Sequence, residues 1–534
     1  MSRRITDRNI LRQLGLAKSY FDEKKYDDAI LIYEQLTGKV PDIYSYDKSE
    51  IYRNLGNCYY YSNNFEKAIP AYEENLKLYG DNVSVYNMLG YLYFYIDREK
   101  SVENYLKAME IQPDLKNFVM LTQVLIKDRN FSQKDLKDTF EKYVEIFRPK
   151  ILKDAKPYEY NPKDYDKDKK LKIGYLSSDL HCHAMMTFML PIFEQHDTQQ
   201  FDINIYSCGK KSDSTTDRIK EAIPNFYDCK DLSNEELAKR IHDDKIDILI
   251  DLGGYTHTAI WSLLYKPAPV ICQYLGFVGT YGIKEVDYII TDKYTIPEEM
   301  APYYTEEPLY IDYGMNRFTF NSKNTRLPNI TELPYDKNGY VTFGSFNCMS
   351  KINKYTVKLW SQVLLKDTTA KLLIYRTQMT ERDKKRLIRQ FGECGVTEDR
   401  LEFRNDKMEA SHFKCYSLCD VALDPTPFSG LTITLEQSMM GIATLTLPWE
   451  TIASRAAARV NMALEMLGMI AKDEEDFVNI AADIKNHMDD IRWLRKHLRQ
   501  ITYNSQICQN YKKYTENIEE KYREIWQKFC NKSN

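Results

Sequence analysis

From residue 171 onward, short apolar runs alternate with longer segments whose apolar positions recur every three or four residues. The runs at 171–176, 201–208, 246–252, 270–275 and 288–291 read as buried strands, and a second set at 341–346, 371–375, 401–404, 421–423 and 442–447 repeats the pattern. Two batches of alternating strands and helices predict two Rossmann-like α/β lobes facing each other. Such folds bind ligands in the crevice beyond the carboxyl ends of their strands. Polar and glycine-rich runs fall there. Ser177-Ser178-Asp179-Leu180-His181-Cys182-His183 follows the first strand, Gly253-Gly254-Tyr255-Thr256 the third and Gly276-Phe277-Val278-Gly279-Thr280 the fourth. In the second set, Phe346-Asn347-Cys348-Met349-Ser350-Lys351 follows the first strand.

The stretch 423–436 stands out among these corners. Pro425, Pro427 and Gly430 force a turn after the strand at 421–423. A helical pattern then begins with Thr432 and Thr434 at its start and Leu435, Met439 and Met440 inside. A strand, a glycine-containing turn and a helix N-terminus together make an anion site, because free N–H groups and the helix dipole can face a diphosphate. Glu436, one turn in, is placed to accept hydrogen bonds from ribose hydroxyls. No Gly-Lys-Ser/Thr follows the glycine, so this is not a Walker loop.

Before residue 149 the periodicity is wholly helical and repeats. Ala17, Tyr20, Ala29, Tyr33 and Pro41 occupy the small, aromatic, small, aromatic and Pro positions of the tetratricopeptide pattern. Gly56, Tyr59, Ala68 and Tyr72 give a second copy, and Leu89, Gly90, Tyr93, Ala108 and Pro113 a third. Small residues let paired helices approach while the aromatics fill the groove between them. Pro70 is a candidate kink in the second copy, and residues 116–147 read as a degenerate fourth pair that caps or docks the array. Such an array serves either as a packing spacer or, the favoured reading, as a concave groove for an extended partner peptide. The stretch 149–170, charged and carrying Pro157 and Pro162, reads as a linker. Its Asp166-Lys167-Asp168 is a solvated run of alternating charges rather than a metal site.

Composition narrows the function. The chain has 534 residues with 43% hydrophobic and 28% charged content, which suits a soluble protein of several domains. A net charge of −4 argues against a general nucleic-acid binder. No apolar core follows Met1-Ser2-Arg3-Arg4 and no run approaches the ~20 apolar residues of a membrane span, so neither a signal peptide nor a membrane is expected. The 11 cysteines are scattered, as free thiols in a reducing cytoplasm would be.

These motifs together resemble the O-GlcNAc transferases of glycosyltransferase family 41, which join tetratricopeptide repeats to a GT-B catalytic region. The resemblance rests on Gly174-Tyr175-Leu176-Ser177-Ser178-Asp179, Pro267-Ala268-Pro269, Gly276-Phe277-Val278-Gly279-Thr280 and Asp287-Tyr288-Ile289-Ile290-Thr291-Asp292. The second lobe adds Phe346-Asn347 with Lys351, Asp420-Val421-Ala422-Leu423-Asp424 and Glu450-Thr451-Ile452-Ala453-Ser454-Arg455. It implies an all-α solenoid over 1–148, a linker over 149–170, GT-B lobes over 171–335 and 336–484, and C-terminal helices over 485–534. These last would pack on the lobes with Trp493 and Trp526 as anchors.

The same resemblance implies roles. Lys351 holds the donor diphosphate and stabilises the leaving group without Mg²⁺. His183 is the active-site histidine of the first lobe, as base or as acceptor positioner. His412 lies near the nucleotide base, Thr432 and Glu436 at phosphate and ribose, with Gly430, Thr434, Gly279, Thr280 and Asn347 around the donor. Three departures stand beside these. Leu431 replaces a histidine, Ile433 a hydroxyl residue, and Cys348 and Cys415 stand where mammalian-type members carry glutamine and arginine. The implied reaction is inverting, metal-independent transfer of a sugar, GlcNAc first, from a nucleotide-sugar donor to Ser or Thr of a protein held by the repeat groove, with no other cofactor. Transfer of another hexose or fucose, an Asn acceptor, and a repeat scaffold with inactive lobes are the alternatives. Exposed repeat faces leave a homo-oligomer open.

Overall fold

The computed structural model describes residues 4–94, 96–312, 314–315, 317–318, 327–408 and 411–532. It divides into two compact units, 1–124 and 125–534.

The first unit is built from helical hairpins: Arg8–Asp22 with Tyr26–Lys39, Ser45–Tyr61 with Phe65–Tyr79, and Val83–Tyr93 with Arg98–Ile111. The repeat positions form its core, with Ala17, Ala29, Tyr33, Tyr59, Ala68 and Tyr72 all buried. A Cβ on Gly56 would lie 2.7 Å from the Tyr72 ring, and one on Gly90 would lie 2.8 Å from the Tyr105 ring. Those two glycines exist so that an aromatic face can rest on the opposing helix backbone. The helix Phe65–Tyr79 continues through Pro70 as one segment.

The second unit holds two parallel sheets. Strands β1 (Leu171–Ser177), β2 (Phe201–Ser207), β3 (Phe226–Asp228), β4 (Ile248–Asp251), β5 (Val270–Gln273), β6 (Tyr288–Thr291) and β7 (Glu307–Tyr310) form the first, in the order β3-β2-β1-β4-β5-β6-β7. Strands β8 (Thr342–Ser345), β9 (Lys371–Tyr375), β10 (Leu401–Arg404), β11 (Val421–Leu423) and β12 (Ala443–Leu445) form the second, in the order β10-β9-β8-β11-β12. All pairings are parallel. This is the expected GT-B architecture of two Rossmann-like lobes. The short edge strand β3 and β7 are additions to the sequence reading. Both carry few fully buried residues and so lack an apolar run.

The helix Gln133–Leu152, expected to lie in a pair that caps the repeat array or serves as a docking unit, belongs to the second unit. Its Phe140 meets the rings of Tyr255 and Phe277 at 5.7 and 6.3 Å, Phe147 meets Trp261 at 6.0 Å, and Arg148 grips Glu285 through two hydrogen bonds of 2.7 and 3.0 Å. The charged stretch after it is ordered rather than loose, since Tyr158 stacks on His242 at 3.7 Å and the Tyr160 hydroxyl donates to the Lys266 carbonyl.

The C-terminal helices are shared between the lobes. Tyr511–Cys530 completes the core of the first, where Trp526 is fully buried and its indole N–H donates to the Asp166 carbonyl. Met488–Asn504 packs Met488 and Ile491 into the second. Trp493 is not an anchor. It is 54% exposed and stacks on His497, because Ile491, Arg495 and Leu498 take the inward face of that helix. Each of the 11 cysteines is a free thiol. Among the described residues no helix is long and apolar enough to cross a membrane.

Candidate functional site

The strand order of the second sheet fixes where a ligand can enter. The order in which successive strands are added reverses between β8 and β11, which are parallel hydrogen-bonded neighbours, so the loops leaving their carboxyl ends emerge side by side. One loop carries Asn347, Cys348 and Lys351; the other is the stretch 424–431. They wall a cavity of about 390 Å³ that also receives Arg376 from the end of β9, Ile452, Ala453, Arg455, Ala456 and Arg459 from the segment after β12, and Ala184, Leu275, Val278, Thr295 and Met315 from the first lobe.

Asp424 shapes the turn. Its carboxylate accepts from the Ser429 hydroxyl at 2.6 Å, the Gly430 N–H at 2.9 Å and the Thr446 hydroxyl at 2.8 Å. Burial pushes its carboxyl up to about 6 against those three donors and the nearby Lys351. Gly430 passes so close to Asn347 that a Cβ would lie 2.7 Å from Oδ1. The Asn347 side chain is buried, and among the described residues its Oδ1 has no hydrogen-bond partner. The helix Thr432–Met439 then starts with no side-chain cap, which leaves its first N–H groups to a ligand.

Lys351 reaches across this turn. Its ammonium donates to the Ser429 carbonyl at 2.7 Å and lies 4.5 Å from the centroid of the Phe428 ring. Burial pulls it below the usual lysine range, and Cys348 and Asp424 oppose that pull. Cys348 is drawn the other way from most buried thiols. Burial would raise it, yet Lys351, the Ser350 hydroxyl, Lys127 and Arg376 outweigh burial and hold it below the ordinary range. Arg455 donates to the carbonyls of Trp449 and Tyr294, both at 2.9 Å, and Arg459 lies 3.5 Å from Asp292. Four cations therefore line one cavity against two nearby carboxylates, Asp424 and Asp292. The balance is a net positive pocket, of the sign that attracts an anionic group.

Of the sequence-derived site residues, Lys351, Asn347, Gly430 and Thr432 meet in the cavity wall. Glu436 lies one turn deeper, accepting from the Tyr416 hydroxyl, with His412 at 3.7 Å on its other oxygen. Thr434 does not face the cavity, because its hydroxyl bonds back to the Gly430 carbonyl inside the helix. Gly279 and Thr280 also stay outside. Thr280 turns its hydroxyl onto buried Glu306 at 2.7 Å, and only Val278 of that run reaches the wall. Cys415 is buried among Phe346, Tyr375 and Tyr416, with its thiol pushed up to about 12 by burial, so it does not stand at the donor. His183 is exposed beside Ala184. Its Nδ1 accepts the Met185 N–H at 3.3 Å and lies 4.0 Å from the Asp179 carboxylate. Leu431 and Ile433, the two departures at the helix start, both line the cavity.

Arg376, Arg455 and Arg459 were absent from the sequence reading of the site. Arg455 stood at the end of a recognised run, and Arg376 immediately follows β9, so a cation at a strand's carboxyl end was the available signal. Arg459 gave none.

Two Rossmann-like lobes closing on a cationic cavity at the switch point define a GT-B protein. The glycosyl transferase family 41 model matches residues 141–332 and 328–518, and a tetratricopeptide repeat model matches 49–82. The chain belongs to glycosyltransferase family 41. Among curated relatives, the probable UDP-N-acetylglucosamine–peptide N-acetylglucosaminyltransferase SPINDLY of Oryza sativa subsp. japonica is 25% identical over 438 residues, 80% of this chain and 46% of the relative. The protein of the same description named SEC, from Arabidopsis thaliana, is 28% identical over 373 residues, 68% of this chain and 38% of the relative. The chain thus spans less than half the length of these curated relatives. A solved O-GlcNAc transferase of Thermobaculum terrenum shares the fold, with a TM-score of 0.77 at 24% identity, over 98% of this chain and 99% of that one.

Proposed function

We propose that the chain is an inverting glycosyltransferase that moves GlcNAc from UDP-GlcNAc to a Ser or Thr hydroxyl of a protein acceptor, without a resident metal. The cationic cavity at the β8/β11 switch point carries this reading, and the names of the family relatives supply the donor and the acceptor class. Lys351, with Arg376 and the uncapped N–H groups at 432–434, would hold the diphosphate, and Glu436 and His412 the nucleoside. Arg455 and Arg459 flank the side from which the sugar meets the first lobe. Asp424, the carboxylate nearest the phosphate position, is spent on three internal hydrogen bonds, so charge neutralisation falls to the cations. In a single displacement the acceptor oxygen bonds to the anomeric carbon as the bond to the diphosphate breaks, which inverts that carbon, and the hydroxyl proton passes to the departing diphosphate or to a base. His183, exposed beside Ala184, would orient the acceptor or take its proton as the base. Catalysis then rests on alignment and on stabilising the departing diphosphate. The repeat groove is the proposed acceptor carrier, and the eleven free thiols suit a cytoplasmic setting.

The test is transfer by the full chain to a mixed peptide pool, with UDP-GlcNAc, UDP-glucose and GDP-fucose offered in parallel. The reading expects peptide mass gain with UDP-GlcNAc that β-elimination removes. Gain from GDP-fucose alone would move the donor, a change that Leu431 and Ile433 in the cavity wall make the leading second reading. A linkage resisting β-elimination would move the acceptor to Asn. No transfer from any donor would leave a repeat scaffold with inactive lobes.

A further inference from the structure

The segment that opens the two-lobed unit touches both lobes. Its helix, Gln133–Leu152, packs on the first through Phe140, Phe147 and Arg148, as described above. The loop before that helix lies on the second. There the Arg129 guanidinium stands 4.0 Å from the centroid of the Tyr355 ring and 4.3 Å from that of Trp449. It also donates to Glu474 Oε1 at 2.7 Å, the same atom that accepts the Tyr355 hydroxyl at 2.9 Å.

Each of these rings is tied to a different wall of the cavity. Tyr355 sits in the helix Lys354–Lys366, which begins just after Lys351. Trp449 opens the segment that ends at Arg455; its N–H donates to the Ser454 hydroxyl and its carbonyl accepts from Arg455 Nε. Two residues before Arg129, the Lys127 ammonium lies 5.3 Å from the Phe428 ring, which also receives Lys351.

We infer that Arg129 is a positioning residue for the donor: a cation wedged between Tyr355 and Trp449 that sets the spacing of the Lys351 wall and the Arg455 wall. The helix that follows carries that spacing to the first lobe. The planar guanidinium suits this task, since it stacks on two rings through its faces while its edge pairs with a carboxylate. The consequence for donor binding rests on the function proposed above; the bracing itself does not.

The test compares the full chain with Arg129→Met and Arg129→Lys by amide hydrogen exchange and by UDP titration. Methionine keeps the stem but loses the charge, whereas lysine keeps a cation that can still reach a ring and Glu474. The brace predicts roughly tenfold faster exchange in Arg129→Met confined to 352–357 and 449–456, with partial recovery in Arg129→Lys. It also predicts UDP binding weakened by about tenfold in Arg129→Met and less in Arg129→Lys, a change of ~1.4 kcal/mol. Unchanged exchange in those two segments would overturn the inference. So would faster exchange spread evenly through both lobes, which would make Arg129 a general stabiliser. Failure of the wild type to bind UDP would sink the donor reading instead, and the exchange pattern would still decide the brace.

Discussion

Glu306 shows how one side chain can redirect a motif. It is fully buried and receives the Thr280 hydroxyl and the Tyr281 N–H, both at 2.7 Å. Burial pushes its carboxyl up to about 7 despite those donors. The sign follows from linkage: a carboxyl raised above its ordinary value binds its proton more tightly when folded. Its contribution is therefore complete below about 4.5 and is lost as pH rises through 7. Between pH 5 and 8 the wild type should lose up to about 3 kcal/mol relative to Glu306→Gln, read as diverging urea midpoints. Parallel midpoints would show that Glu306 ionises freely. The same contact explains why Thr280 lies outside the cavity wall. A glycine-rich run after a strand signals a ligand corner, yet nothing in the run announces that a carboxylate 26 positions on will claim its hydroxyl from within. Lys351 and Asn347 were legible because both belong to the loop leaving the central strand β8.

At the scale of elements, spacing carried most of the fold. The bounds of β6, β9 and β11 follow the apolar runs residue for residue, since a strand buried on both faces leaves an uninterrupted apolar signature. Edge strands β3 and β7 leave none. The helix Gln133–Leu152 was read as repeat-like because amphipathicity reports that a face is buried and not which surface covers it. Repeat glycines offer a sharper test. Alanine at Gly56 gains helix propensity of up to ~1 kcal/mol but drives a Cβ into the Tyr72 ring, and overpacking typically costs about 1–3 kcal/mol. Gly15, in the helix Arg8–Asp22, has nothing within 4 Å of a built Cβ. Gly56→Ala should therefore destabilise the chain and Gly15→Ala stabilise it, as urea unfolding followed by helical circular dichroism would report. Changes of the same sign at both positions would contradict the packing account.

For the whole molecule, the decisive arrangement is that neither lobe completes the cavity alone. The second supplies Lys351, Arg376, Arg455, Arg459 and the uncapped helix start, while the first supplies Leu275, Val278, Thr295 and Met315. Several segments hold the two together: Arg455 donating to the Tyr294 carbonyl, the Arg459–Asp292 pair, the braced segment around Arg129, and C-terminal helices shared between both cores. A cavity so built has a net positive charge, which the proposed nucleoside diphosphate requires. The most direct test is calorimetric titration of UDP into the wild type and Lys351→Ala. The account predicts saturable binding to the wild type, and in the variant a loss of at least about tenfold, the worth of one charge-assisted contact to phosphate. Equal affinity in the two proteins, or no binding to either, would contradict the assignment of this cavity as the donor site.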